Sequence, residues 1–248
     1  MNTIYILWLR QIKRYLRSKS RMIGSLGQPI LFLVALGFGF GPIFKKAGGG
    51  DYMQFLAPGI ISQGVLFTAI FSGVEMIWDR QFGFLKETMV APVSRFNIML
   101  GRTLGGATIA MFQGLIILLL SLLVGFRPVG FFAVLLSIAV MFLLALLFTG
   151  IGTAIASLLD DFHGFQMIMN FLVMPLFFLS GALFPLDNLP GFISVVSRCN
   201  PLTYGVDGLR AALTNSSHFG LGIDVLVLSG LTFLILSIGS YLFSKIQV

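Results

Sequence analysis

Six long apolar stretches dominate this sequence, and they restrict the environments in which it can fold. They are residues Met22–Phe44, Tyr52–Trp78, Phe96–Phe126, Val129–Leu159, Phe165–Phe184 and Ile223–Phe243. A helix needs about 20 apolar residues to cross the hydrocarbon core of a bilayer, and it satisfies its own backbone hydrogen bonds there. The pattern therefore predicts an all-α integral membrane protein with six transmembrane helices, forming one domain over residues 1–248.

Composition supports a membrane environment and excludes several other classes. Hydrophobic residues make up 57% of the 248 residues and charged residues only 10%, whereas a soluble domain has about 25% charged residues. The formal net charge of +7 does not indicate a nucleic-acid partner, because the basic residues flank apolar stretches rather than cover a soluble domain. Cys199 is the only cysteine, which excludes an intrachain disulfide or a cysteine-based metal site within these residues.

The distribution of basic residues predicts an orientation, because lysine and arginine concentrate on the cytoplasmic side of membrane spans. Most of them lie before the first span, between the second and third spans, and in the C-terminal tail: Arg10, Lys13, Arg14, Arg17, Lys19, Arg21, Arg80, Lys86, Arg95, Arg102 and Lys245. We therefore expect a multi-pass protein of the cell (inner or plasma) membrane with both termini in the cytoplasm.

Residues 1–21 have the pattern of an amphipathic helix. At helical spacing, one face carries apolar side chains and the opposite face carries basic ones: Tyr5, Trp8, Leu9, Ile12 and Leu16 against Arg10, Lys13, Arg14 and Arg17. This arrangement predicts a helix that lies in the membrane interface, with Trp8 at the interface and its arginines near anionic lipid head groups. An ordinary positively charged flank of the first span is the alternative interpretation.

The stretch 79–95, DRQFGFLKETMVAPVSR, interrupts the apolar pattern between the second and third spans. Burying one of its charged side chains at the bilayer centre would cost about 2.5–3.5 kcal/mol, so we expect the segment at the cytoplasmic surface. Its residues 81–90 can form a short helix that ends before Pro92. Helical spacing places Phe82, Leu85 and Met89 on one face, towards the membrane or the spans, and Arg80, Phe84 and Glu87 on another, facing outward. A solvated loop that caps two helices is the alternative.

A second unusual region, residues 180–213, follows the fifth predicted span. Pro185, Pro190 and Pro201 divide it into pieces too short to cross a membrane, yet apolar stretches persist between the prolines. Such pieces are typical of re-entrant or interfacial helices, and we expect one such external segment over residues 185–215. Asp207 and Arg210 are three residues apart and can pair within it.

Features expected of an enzyme or an ion-coupled pump are missing from the sequence. It contains no G-x-x-x-x-G-K-[ST] phosphate loop, no H-E-x-x-H motif and few charges inside the predicted spans. The carboxylate of Glu75, one turn before Trp78, is expected to reach the water interface. We expect no catalytic residue, metal or cofactor in this chain, and energy for any uphill transport must come from another subunit.

Two motifs together resemble a known family. The segment FLAPGIISQGVLFTAIFSGVEMIWDRQFGFLKETMVAPVSRFNIMLGRTLGG resembles the signature region of type 2 ATP-binding-cassette (ABC) exporter permeases. The later SGALFPLDNLP and NPLTYGVDGLR are similar to the signature before the last span, especially in the branch of daunorubicin-type drug exporters and nodulation-factor exporters. The sequence departs from the pattern at Ala91, where many relatives have a hydroxyl residue before the proline.

The resemblance implies a particular assembly. It implies a homodimer or pseudo-dimer of six-span permeases, each paired with a separate cytoplasmic subunit that binds ATP and Mg. It also implies a substrate path between the second and fifth spans, at the dimer interface. The segment 79–95 would be the coupling helix, which docks on the ATP-binding subunit through Arg80, Gly83, Phe84, Lys86 and Glu87. The external re-entrant motif would comprise Pro185, Asn200, Pro201, Tyr204, Asp207 and Arg210.

The expected function is therefore ATP-driven export of an amphipathic, drug-like or lipid-linked compound. A permease for polysaccharide or teichoic-acid-type glycans is the alternative within the same class. A stand-alone channel or ion-coupled carrier would need polar residues repeating along the spans, and Gln63, Gln113 and Gln166 are sparse. An integral membrane enzyme would need a clustered reactive set, which the sequence does not show.

Overall fold

A computed structural model describes residues 3–48, 50–90, 93–159, 161–186 and 190–244, without the side chains of Arg21, Lys86, Met89 and Ser244. This part of the chain contains eleven helices and no strand. They are α1 Thr3–Arg17, α2 Lys19–Lys46, α3 Tyr52–Phe71, α4 Val74–Gln81, α5 Phe84–Val90, α6 Arg95–Val124, α7 Phe131–Leu158, α8 Phe162–Phe178, α9 Gly191–Cys199, α10 Pro201–Thr214 and α11 Leu221–Ser244. The predicted all-α fold is confirmed.

Five helical stretches within the described ranges are long and apolar enough to cross a membrane: Met22–Lys46, Tyr52–Gln81, Arg95–Val124, Phe131–Leu158 and Leu221–Phe243. The fifth predicted span corresponds to α8, which has 17 residues and is about 25 Å long, shorter than the ~30 Å hydrocarbon core. The expectation that this span continues to Phe184 is wrong. The helix ends at Phe178, and a turn with Gly181 at φ 74° follows.

The second span, formed by α3 and α4, lies at the centre of the bundle. α3 packs against α2, α6, α7 and α10. Among the 18 most apolar consecutive residues of the second span, 78% are buried. The corresponding value is 17% for the span in α2 and for the span in α11. The apolar outer faces of α2 and α11 are consequently available to lipid or to another protein.

Close approach of α3 and α4 to their neighbours depends on glycine. A Cβ atom at Gly73 would lie 2.5 Å from the carbonyl oxygen of Gly152 on α7, and one at Gly152 would collide with the carbonyl oxygen of Ile70. A Cβ atom at Gly59 would collide with the backbone of Ala182, in the turn after α8. Small residues let membrane helices approach at backbone distance, so these glycines set the separation of the central helices.

The N-terminal helix α1 packs on α6 rather than resting only on a membrane surface. Its buried residues are Leu7, Gln11 and Tyr15, which recur every four positions and form one face. Gly101 and Gly105 of α6 leave room for this face. Tyr5 and Leu16 of the apolar face predicted from the sequence are outside this contact, at 49% and 57% exposed.

Between α8 and α11 the chain forms two short helices, α9 and α10. α10 contacts α3, α7 and α11, and most of its residues are buried. Asn200 fixes its start: the side-chain oxygen accepts a hydrogen bond from the backbone N–H of Leu202 at 2.9 Å, and the amide nitrogen donates to the carbonyl oxygen of Leu176 at 2.7 Å. α10 is therefore a short helix packed among the spans.

Candidate functional site

A cluster of three arginines surrounds one buried carboxylate at the end of α4. Asp79 is 4% exposed. Arg10 donates to both of its oxygens at 2.8 and 2.9 Å, Arg102 donates to Oδ2 at 2.6 Å, and Arg14 lies 3.5 Å from Oδ1. Such charge-assisted and bidentate contacts are among the strongest hydrogen bonds in proteins. They join α1, α4 and α6 at one point, which we call the Asp79 cluster.

Helical spacing explains why these side chains meet. Arg10 and Arg14 are four residues apart on α1 and share a face, and α1 packs against α6, which carries Arg102. We expected the two α1 arginines to face lipid head groups. In the structure they bind Asp79 instead, while Lys13 and Arg17 are exposed on the same helix.

A second carboxylate lies one helical turn before Asp79. The expectation that Glu75 reaches the water interface is wrong, because this residue is only 2% exposed. Charged groups inside a membrane protein normally pair with one another, and three guanidinium groups with one carboxylate would leave an excess of two positive charges. Burial of Glu75 near Arg102 reduces that excess.

Trp8, predicted to lie at the membrane interface, has a hydrogen-bond partner inside the bundle. Its indole Nε1–H donates to the hydroxyl of Thr108 on α6 at 3.0 Å. A buried indole normally requires such a partner. Trp8 therefore fixes α1 on α6 a short distance from the Asp79 cluster.

The short helix α5 is attached directly to this cluster. The guanidinium carbon of Arg10 lies 3.7 Å from the centre of the Phe84 ring, within cation–π range. Leu85 is fully buried and anchors the inner face of the helix. Arg80 connects the preceding turn to the end of α7 by donating to the carbonyl oxygens of Leu159 at 3.1 Å and Ser157 at 3.3 Å.

The predicted single helix over residues 81–90 is interrupted. α4 continues to Gln81, and Gly83 then adopts φ 80° before α5 begins at Phe84. This left-handed conformation is readily available only to glycine. The break leaves Phe82, expected to face the membrane or the spans, 84% exposed on the protein surface, and it places Phe84, expected to face outward, partly under Arg10.

Of the five predicted docking residues, only Glu87 is clearly exposed with its side chain described. Arg80 binds α7, Phe84 lies beneath Arg10 and Gly83 forms the turn. The predicted roles of the Lys86 and Met89 side chains and of Pro92 fall outside the described part of the chain. The sequence interpretation missed two exposed apolar residues, Phe82 and Val90, which are 84% and 86% exposed; treating Gly83 as a helix break would have identified Phe82.

Predicted residues of the external motif bind backbone groups. The Asp207 carboxylate accepts hydrogen bonds from the N–H groups of His218 at 2.8 Å and Phe219 at 2.7 Å, which holds the turn before α11. Arg210 donates to the carbonyl oxygens of Gly181 and Phe55, and its guanidinium carbon lies 4.0 Å from the Phe55 ring centre. These bonds connect α10 to the turn after α8 and to α3.

Pro201 and Tyr204 of that motif lie in the first turn of α10, and Pro185 lies between α8 and α9. Pro201 is the first residue of α10, a position that proline favours. The Tyr204 hydroxyl donates to the carbonyl oxygen of Arg198 at 2.8 Å, and Pro185 is exposed. Over the described ranges no three His, Cys, Asp or Glu side chains are grouped as metal ligands.

Comparisons with known proteins agree with the fold and with the two motifs. The family model for the ABC-2 type transporter matches residues 2–214. The chain is 30% identical over 221 residues to the putative transport permease ycf38 of Cyanophora paradoxa, covering 86% of this chain and 75% of that protein. It is 28% identical over 208 residues to Nodulation protein J of Rhizobium leguminosarum bv. trifolii, covering 83% and 76%.

A third relative is the inner membrane transport permease YadH of Escherichia coli strain K12. The identity is 29% over 213 residues, covering 82% of this chain and 80% of that protein. These matches confirm the family resemblance, and with the apolar helices they establish a multi-pass membrane protein. The chain belongs to the ABC-2 type transporter family.

Proposed function

We propose that this chain is the transmembrane permease subunit of an ABC exporter whose energy comes from a separate ATP-binding subunit. One observation carries the proposal: α5 is a short helix fixed to α1, α4 and α6 through the Asp79 cluster, while its residues Glu87 and Val90 and the adjacent Phe82 are exposed. A rigid base with an exposed aromatic and charged surface suits a protein-docking site. Family membership supports transport as the activity.

ATP and Mg are assigned to the partner subunit. The 248 residues contain no phosphate-binding G-x-x-x-x-G-K-[ST] loop, the element that surrounds nucleotide phosphates in P-loop ATPases. Hydrolysis on the partner would then act on this chain mechanically, through the α5 surface. We assign that surface to the cytoplasmic side of the cell membrane, with both chain termini on the same side, as the basic residues indicate.

A homodimer completes the proposed assembly. α8 carries an exposed apolar stripe, Met167, Phe171, Met174 and Phe178, at the three- and four-residue spacing of one helical face. We propose that this stripe meets a second copy, with membrane lipid covering the outer faces of α2 and α11. The exported compound is proposed to be amphipathic, drug-like or lipid-linked, and a glycan of the polysaccharide or teichoic-acid kind is the second candidate.

Co-expression of this chain with its ATP-binding subunit tests the proposal. Both proteins should co-purify, and export and substrate-stimulated ATP hydrolysis should require both. Glu87→Arg should preserve membrane insertion while uncoupling ATP hydrolysis from export, because it reverses an exposed charge beside the proposed interface. Ser217→Arg is the control, since it places an arginine at an exposed position in the turn before α11, away from the α5 surface. Export by this chain alone would contradict the proposal, and unchanged export by Glu87→Arg would remove Glu87 from the docking surface.

A further inference from the structure

A cavity of about 240 Å³ lies between α1, α2 and α3. It is separate from the Asp79 cluster and from the external motif, and no residue of α8 lines it. Tyr15, Ser25, Gln28, Gln63 and Thr68 contribute polar side chains to its walls. Gln28 is exposed, so the cavity opens to the outside of the bundle between α2 and α3.

Gln63 is the most informative residue of the cavity. Its side chain is 2% exposed, and neither its amide oxygen nor its amide nitrogen has a hydrogen-bond partner among the described residues. A buried amide without partners costs about 1–3 kcal/mol. Because Gln63 lines the cavity, a molecule in the cavity can supply both a donor and an acceptor to it.

Two further polar groups lie on or behind the same walls. The Tyr15 hydroxyl donates to Oε1 of Gln113 at 3.0 Å, which orients the Tyr15 side chain at the edge of the cavity. Pro29, inside α2, has no N–H to donate to the carbonyl oxygen of Ser25 four residues earlier. Pro29 and Ser25 both line the cavity, so this carbonyl lacks its usual helical donor close to the cavity wall.

The chemistry of the walls restricts the ligand. All ten lining residues are uncharged, and burying an ion in such an environment without a counter-charge is strongly unfavourable. Phe67 and Phe71 form a stacked pair with ring centres 6.2 Å apart, which gives one wall an apolar surface. A group that both donates and accepts hydrogen bonds and also has an apolar face fits these walls, as a sugar ring or an amide does.

We propose that this cavity binds the uncharged, hydrogen-bonding head group of an amphipathic molecule, with Gln63 as the principal polar contact. Its volume of about 240 Å³ accommodates a head group rather than a whole drug-sized ligand, for which pockets of roughly 300–1,000 Å³ are usual. The opening between α2 and α3 leaves the apolar chain in the lipid. If the bound molecule is exported cargo, this inference rests on the proposed function. If it is a resident neutral lipid, the inference is independent of the proposed function.

Photolabelling tests the head-group selectivity directly. The purified chain in phosphatidylcholine nanodiscs is exposed to an octyl glucoside with a diazirine on its first chain carbons. Two further probes carry the same chain with a phosphate or a trimethylammonium head. We expect the glucoside to label peptides containing residues 24–29 and 63–71 at least about tenfold more than either charged probe. Equal labelling by all three probes would overturn the proposal.

Variants assign the labelling to Gln63. Gln63→Leu should reduce labelling by the glucoside about tenfold, a ratio that corresponds to roughly 1.4 kcal/mol, while raising the unfolding temperature because an unpartnered buried amide is removed. Thr68→Val, a smaller change in the same cavity, should reduce labelling less. The matched control is Gln166→Leu on α8, an exposed glutamine outside the cavity, which should label normally. Unchanged labelling of Gln63→Leu would also overturn the proposal.

A second readout separates cargo from resident lipid. In the complex with the ATP-binding subunit, stimulation of ATP hydrolysis by the glucoside, lost in Gln63→Leu, identifies a cargo site. Selective labelling without stimulation identifies a bound neutral lipid with the same head-group chemistry. Failure of the complex to assemble would contradict the proposed function but leave the labelling of the isolated chain interpretable.

Discussion

Arg102 and Asp79 form the most buried ion pair described in this protein. Nη2 of Arg102 lies 2.6 Å from Oδ2 of Asp79, and each residue is 4% exposed. Arg102 lies in the third span and Asp79 at the end of the second. A buried guanidinium is stable only with a counter-charge, so the position of one helix depends on the carboxylate of the other.

Asp79→Asn should strongly destabilise the protein. The amide leaves Arg102 buried without its counter-charge, and breaking a buried pair in this way costs about 3–5 kcal/mol. Thermal unfolding in detergent measures the loss. Asp51→Asn provides the control, because Asp51 caps α3 by accepting from the N–H of Met53 and asparagine caps helices equally well. Similar unfolding temperatures for the two variants would show that the Asp79 cluster contributes little to stability.

The contact between Arg10 and Phe84 should produce a measurable coupling energy. A double-mutant cycle with Arg10→Ala and Phe84→Ala should give about 0.5–2 kcal/mol, the range of cation–π contacts from exposed to desolvated sites. A parallel cycle with Arg17→Ala serves as the control, since Arg17 is exposed seven residues further along α1, and it should be additive. Additivity in both cycles would mean that Arg10 does not fix α5.

Adding one methyl group at Gly152 should destabilise the bundle. In Gly152→Ala the new Cβ atom meets the backbone of Ile70, which cannot move without displacing α3, and overpacking of this kind costs about 1–3 kcal/mol. Gly230→Ala on α11 is the matched change, because no atom lies within 4 Å of a Cβ atom there. The unfolding temperature should fall for Gly152→Ala and stay level or rise for Gly230→Ala; the reverse order would contradict close packing of α3 on α7.

Phe82→Ser should weaken binding of the ATP-binding subunit without lowering the stability of this chain. Phe82 is 84% exposed beside α5, and its removal therefore leaves no cavity in the fold. We expect at least about tenfold weaker association, as for truncation of an aromatic interface residue. Phe131→Ser, at a residue that is 81% exposed at the start of α7, is the control. Co-purification of both variants at the wild-type level would exclude Phe82 from the interface.

Local pattern was sufficient to predict most of the helices, because apolar length alone identifies a membrane span. It could not predict the Asp79 cluster. Arg10 and Asp79 are 69 residues apart, and the pairing arises only when α1 packs on α6. A helical wheel orders the residues of α1 around its axis but does not show which neighbour it meets, so the basic face was assigned to lipid.

Two errors had local causes that the sequence contains. Gly83 interrupts the helix through its left-handed backbone, and Phe84 therefore packs under Arg10 instead of facing outward. The largely apolar residues 179–184 predict a fifth span that continues to Phe184. Gly181 lies among them, and its left-handed backbone is part of the turn that follows α8. Gln63, by contrast, was noted only as one of three sparse polar residues, since burial without a partner is a three-dimensional property.

Two contacts attach the end of α4 and the start of α5 to the rest of the bundle. Arg10 holds Phe84 on one side, and Arg80 fastens the preceding turn to the last carbonyls of α7 on the other. These contacts connect the segment with α1 and α7, and the Asp79 cluster extends the connection to α6. Under the proposed function, a displacement of the segment by the ATP-binding subunit would therefore be transmitted to α1, α6 and α7 rather than absorbed by a flexible loop.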